Sequence, residues 1–203
     1  MKKLMLITVL FVSYLMSAQD ISVLQGDFSF LKDQKEINVE FDYDKMTLMK
    51  EKKTETQYID DRAKELNDDK KGVGDIWKKK WYPSKELIWN PKFLELINVV
   101  LLKEDKEVSY QEDLKTAKYT LIVETVWIYP GWDAGIMKQS AKVSTNLKFV
   151  ETVNKSNVLL EISSKNAPGD QWGNNYSNES RIGEGYAKTA KSLAKMILNK
   201  AYK

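Results

Sequence analysis

Ala141-Lys142-Val143-Ser144-Thr145-Asn146-Leu147-Lys148-Phe149 alternates without a break. In an extended chain successive side chains point to opposite faces, so Ala141, Val143, Thr145, Leu147 and Phe149 share one side and the polar residues the other. Such a strand covers a core with one face and meets water with the other. Downstream, Asn154-Lys155-Ser156-Asn157 collects turn-forming residues, and Val158, Leu160 and Ile162 resume the period of two. This predicts a hairpin of strands near 140–151 and 157–165. Upstream, Tyr119 to Tyr129 is rich in Thr, Val, Ile, Tyr and Trp, with apolar residues on both faces, the pattern of a central strand within 117–129. Ile37, Val39, Phe41 and Tyr43 alternate with Asn38, Glu40, Asp42 and Asp44 and predict a strand near 36–45.

Between these strands the period changes. Ile59, Ala63 and Leu66 follow helical spacing in a segment near 54–71, which Gly72 closes. Asp75 reads as the cap of a second helix carrying Trp77 and Trp81, and Pro83 ends it. Asn90-Pro91 reads as the N-cap and first residue of a third, with Phe93, Ile97 and Leu101 on one face, so 75–103 is helical in two or three pieces. Near 180–202, Ile182, Tyr186, Ala190, Leu193, Ile197 and Ala201 form one stripe, while Lys188, Lys191, Lys195 and Lys200 fall on other faces. The order predicts an α+β fold: an antiparallel sheet covered by helices, in a single domain over 20–203, with 104–116 a polar connector.

Several of these residues carry a resemblance: the strand Ala117-Lys118-Tyr119-Thr120-Leu121, the hairpin from Leu147 to Thr152 and Asn157 to Ile162, and the Lys/Ala-rich last helix. Over 117–200 the chain resembles the periplasmic domains of the curli-secretion-channel, penicillin-binding-protein-activator and Tol N-terminal-like superfamily. It also looks like uncharacterised exported proteins of Gram-negative bacteria that share the Pro130-Gly131-Trp132 loop. The resembled domains act in binding and assembly, so the resemblance implies a binding role and transfers no catalytic residue. The chain departs from the lipoprotein members in having no cysteine to carry a lipid.

The first nineteen residues read as a secretory signal peptide. Lys2 and Lys3 precede an apolar run from Leu4 to Met16, too short to span a bilayer, and small or polar residues follow, with cleavage expected near Ala18 or Gln19. The expected localisation is periplasmic or secreted. Across 203 residues, 32 basic and 29 acidic side chains give a formal charge of +3, which drops to about +1 without the leader and argues against a nucleic-acid partner. There is no cysteine and no histidine. That excludes disulfides, thiolate and imidazole catalysis, Ser-His-Asp triads and Cys/His zinc sites. No cofactor, metal site, transmembrane segment or lipid anchor is expected.

Two loops stand out. Residues 130–135 and 168–176 each combine Pro-Gly with an Asp and a Trp, and in an up-down meander both leave the sheet at the same end. Trp132, Asp133, Asp170, Trp172 and Tyr176 are the candidate binding residues, because aromatic faces beside polar groups suit a sugar ring, a peptide stem or a partner side chain. The alternative is that Gly and Pro set the turns and the tryptophans plug the end of the sandwich. Trp77 and Trp81 flank three lysines, but their spacing of four favours a packed stripe over a nucleic-acid or membrane surface. Asn38, Glu40, Asp42 and Asp44 read as a solvated face rather than a calcium site. The leading functional expectation is a non-enzymatic exported envelope protein that binds or scaffolds an envelope protein or glycan. The alternative is a carboxylate-based glycan hydrolase using Asp133 and Asp170.

Overall fold

The computed structural model describes residues 19–134, 137–169 and 177–202. The expected leader up to Ala18, and the candidate residues Asp170, Trp172 and Tyr176, lie outside them. In chain order the elements are β1 (Asp20–Gly26), a 3-10 turn (Ser29–Leu31), β2 (Glu36–Asp42), β3 (Thr47–Leu48), α1 (Glu55–Asp69) and α2 (Val73–Trp81). A turn of π-helix (Lys85–Trp89) then runs into α3 (Asn90–Leu102). After it come β4 (Ser109–Gln111), β5 (Tyr119–Tyr129), β6 (Trp132–Asp133), β7 (Lys138–Gln139), β8 (Ala141–Glu151), β9 (Asn154–Gly169) and α4 (Asn178–Ala201).

The fold is α+β, with the main sheet ordered β1-β9-β8-β5-β2-β4 and β3 also paired with β5. The expectation of a wholly antiparallel sheet is corrected. β1, β9, β8 and β5 are antiparallel neighbours, but β2 runs parallel to both β5 and β4, and β3 parallel to β5. The reason is connectivity: α1 to α3 lie between β3 and β4, and a long helical crossover returns the chain in the same direction.

The alternation in β8 is realised residue by residue, with Val143, Leu147 and Phe149 sealed and Lys142, Ser144, Asn146 and Lys148 half-buried opposite. β5 is central, between β8 and β2/β3. A one-residue bulge between Thr125 and Trp127 exposes Val126 and switches which side faces inward, so Leu121 and Val123 are buried before it and Ile128 after it. The hairpin turn falls at Thr152-Val153 rather than at 154–157, since Glu151 already pairs with Asn154. β1 was not expected: it is an edge strand whose residues are nearly all exposed, so no buried face marks it.

Helices cover one face. The stripe Ile182, Tyr186, Ala190, Leu193 and Ile197 of α4 is fully buried against β8, β9 and α3. α1 opens on a capping box, Thr54 Oγ1 accepting from the Gln57 amide and Gln57 Oε1 from the Thr54 amide. Two cap expectations are corrected. Gly72 (φ +87°), not Asp75, precedes α2, and Asn67 Oδ1 accepts the Gly72 and Gly74 amides. Asn90 caps nothing, because the chain is already helical before it; its side chain accepts from the Tyr43 hydroxyl (2.6 Å) and donates to Glu112 (3.2 Å).

Trp77 and Trp81 form a packed stripe. Tyr58, Trp77, Trp81, Trp89 and Tyr186 make successive ring contacts at 5.2–5.9 Å between centroids. The Trp81 indole donates to Glu55 (2.9 Å) and that of Trp89 to the Glu179 carbonyl (3.0 Å). Asn38 is buried rather than solvated: it donates to Thr120 (3.1 Å) and accepts from the Leu114 amide (3.0 Å).

Candidate functional site

Gly131 turns the chain with φ +69°, and the following residues pair in a two-residue ribbon, Trp132 opposite Gln139 and Asp133 opposite Lys138. Gln139 Oε1 accepts from both the Trp132 indole (3.1 Å) and the Tyr129 hydroxyl (2.8 Å). Trp132 is thereby held by its N–H while remaining 42% exposed. Ala141 pairs with Gly169, and the Ala141 amide lies against Gly131. The end of β9 at Gly169 therefore sits beside the 130–133 turn, while the second loop of the expected pair lies outside the described residues.

Trp132 and Asp133 border a cleft of about 360 Å³ closed on its other sides by α1 and the first turn of α4. Tyr58, Asp61, Arg62 and Glu65 enter from α1, and Asn178 and Arg181 from α4. The first turn of α4 packs directly on the end of β9: a Cβ on Gly169 would stand 1.9 Å from the Arg181 carbonyl oxygen. Ser177 caps the helix by accepting the Ser180 amide (3.3 Å). These contacts aim Arg181 across the cleft.

Arg181 is only 6% exposed. Its Nη2 donates to Asn178 Oδ1, and Asn178 Nδ2 donates in turn to the Tyr58 hydroxyl (3.4 Å). Among the described residues its Nε and Nη1 have no hydrogen-bond partner. Burial holds its guanidinium below the usual value, while the charges of Asp133 and Glu179 oppose that effect and Arg62 adds to it. Burial pushes Tyr58 up to about 12, so it remains a neutral hydroxyl.

Two of the carboxylates that line the cleft are held in ion pairs. Glu65 pairs with Arg62 Nη1 (2.7 Å) and Asp61 with Lys53 (2.7 Å). Arg62 Nε is buried without a partner among the described residues. The cleft therefore offers hydrogen-bond donors and an aromatic edge, with the Asp133 carboxylate on its rim. The carboxyl that burial does push up, Glu112, lines a different depression with Asn38 and Lys115. Among the described residues no group of three or more acidic side chains is placed to hold a metal, and no helix is long and apolar enough to cross a membrane.

The structure thus brings Trp132 and Asp133 together in one cleft, and places Asp170, Trp172 and Tyr176 outside the residues it describes. Reasoning from sequence missed Tyr58, Arg62, Asn178 and Arg181. One signal was available: Arg62 and Arg181 are the only arginines in the chain, every other basic side chain being lysine.

No family model matches the chain, and no curated protein does. Among solved structures, the chain is similar to the PelC dodecamer from Paraburkholderia phytofirmans at 10% identity and a TM-score of 0.40, over 87% of this chain and 97% of that one. A leucine-to-methionine variant of the PelC dodecamer in another crystal form matches at the same identity and TM-score, over 86% and 97%. At that level the likeness identifies neither a family nor an activity.

Proposed function

We propose that the chain is an exported envelope protein that acts by binding another envelope component through the cleft between Trp132, α1 and the start of α4. The observation that carries this reading is the chemistry of the cleft: a guanidinium with unsatisfied donors, a neutral phenol, an amide and an exposed indole line it together, and Asp61 and Glu65, two of its three carboxylates, are held in ion pairs. Binding sites have this makeup, an apolar wall with a few fixed polar groups. Export rests on the leader, with Lys2 and Lys3 ahead of the apolar run from Leu4 to Met16. The resemblance of 117–200 to periplasmic binding and assembly domains points the same way.

The test is affinity capture from native envelopes with the wild-type chain and with Trp132→Ala. Because Trp132 is half-exposed and its N–H bonds only to Gln139, the substitution leaves the core intact. Loss of a captured component with an unchanged melting curve supports the reading. An identical captured set, or glycan turnover that disappears in Asp133→Asn, overturns it.

A further inference from the structure

We propose that the ligand of this cleft is an acidic sugar, a saccharide bearing a carboxylate, with Arg181 as the carboxylate anchor and Trp132 as the platform for the sugar ring. The proposal rests on the binding role assigned above and gives it a chemical class.

The first support is the choice of side chain. The chain uses lysine for every basic position except two, and both exceptions line this cleft. Lysine supplies charge equally well; arginine adds a rigid planar array of N–H donors that matches a carboxylate. The second is Arg181 itself. It is almost fully buried, yet Nε–H and both Nη1–H bonds have no acceptor among the described residues. Burying a cation with unmade hydrogen bonds is costly, and proteins tolerate it where a ligand completes the set. Asp133 acts on Arg181 through its field and not through a bond to either of those nitrogens.

The third is charge balance, which selects a monoanion. Lys53, Arg62 and Arg181 are matched in number by Asp61, Glu65 and Asp133 around the same cleft. With Glu179 also acting on Arg181, a dianionic phosphate would leave the site strongly negative, whereas one carboxylate matches the unused Nε–H and Nη1–H donors of Arg181. The fourth is shape. The exposed Trp132 ring offers an apolar face to sugar C–H groups, and the Tyr58 hydroxyl, which accepts from Asn178, lines the same cleft with its own O–H left to donate. A volume of about 360 Å³ lies at the small end of ligand sites and suits one or two sugar units.

The experiment is a titration of ¹⁵N-labelled protein with disaccharides of glucuronate, galacturonate and mannuronate, and separately with a neutral galactose disaccharide and inorganic phosphate at matched ionic strength. At least one uronate is expected to shift the Trp132 indole N–H and Arg181 Nε–H signals. The neutral sugar should not, and phosphate should bind more weakly. Arg181→Gln is expected to lower affinity at least about tenfold, as loss of a buried charged partner does. Trp132→Ala and Arg62→Gln should each lower it by about threefold or more. They keep the question answerable if Arg181→Gln does not fold. Silence with every uronate, equal affinity for phosphate, or unchanged affinity in the variants overturns the proposal. If no uronate binds but Trp132→Ala still abolishes envelope capture, the acidic-sugar assignment falls and the binding role stands.

Discussion

Replacing Arg181 by methionine should make the unliganded protein more stable. Methionine keeps most of the volume of the arginine stem, so little packing is lost. What is removed is a guanidinium, 6% exposed, whose Nε and Nη1 find no acceptor among the described residues. Each buried unsatisfied donor costs about 1–3 kcal/mol, so relief at two nitrogens is worth about 4 kcal/mol. Against this stands the Nη2 bond to Asn178, about 2 kcal/mol for a charged donor, and about 1 kcal/mol of attraction to Asp133 and Glu179. The balance is a gain of about 1 kcal/mol, which raises the melting temperature of a chain this size by roughly 2–4 °C. Urea unfolding followed by tryptophan fluorescence reads it directly, with the midpoint rising and the slope unchanged. A ligand carboxylate should stabilise the wild type and not Arg181→Met. A loss of 1 kcal/mol or more in Arg181→Met without ligand would refute the claim that the protein holds this cation at a cost.

Other perturbations have equally definite outcomes. Trp81→Ala removes a fully buried indole in tilted and edge-to-face contact with Tyr58, Trp77 and Trp89, and should cost about 3–5 kcal/mol in urea unfolding; a cost under about 1 kcal/mol would contradict the aromatic cluster as a core element. Gly169→Ala places a methyl against the Arg181 carbonyl, so it should destabilise by about 1–3 kcal/mol and also weaken ligand binding; wild-type stability would show that α4 is not seated there. Glu124 is held below the usual carboxylate range by its bond from Lys148 (2.8 Å), with Asn146 and Lys45 assisting. Its stabilising effect is complete above the unfolded-state value near 4.3 and is lost as pH falls through the lowered folded value. Glu124→Gln should therefore be less stable than wild type at pH 7 and converge with it as pH falls through that lowered value, in urea melts at descending pH.

Strict alternation made β2 and β8 legible, and the α4 stripe was legible for the same reason: one buried face leaves a periodic trace. β1 left none, because an edge strand exposed on nearly every residue has no face to mark. The parallel direction of β2 was hidden because periodicity reports which residues are buried, not which way a neighbour runs. Asn90-Pro91 misled because a capping pair is ambiguous when the preceding turn, here π-helical, is already wound. At the site, the Pro-Gly-Trp-Asp turn announced itself through residue types with strong local preferences. Arg62 and Arg181 did not, since residues so far apart in sequence come to line one cleft only in the folded chain; their rarity among so many lysines was the trace they left.

Whether this cleft holds a ligand in the envelope decides the proposed binding role. A benzophenone side chain installed at position 61, on the exposed rim of the cleft where it leaves Trp132 and Arg181 in place, and irradiated in intact cells tests it most directly. A discrete covalent adduct of envelope material is expected, and it should be lost when Arg181→Gln is added. Absence of any adduct from a folded, exported protein, or an adduct equally abundant with Arg181→Gln, would contradict it.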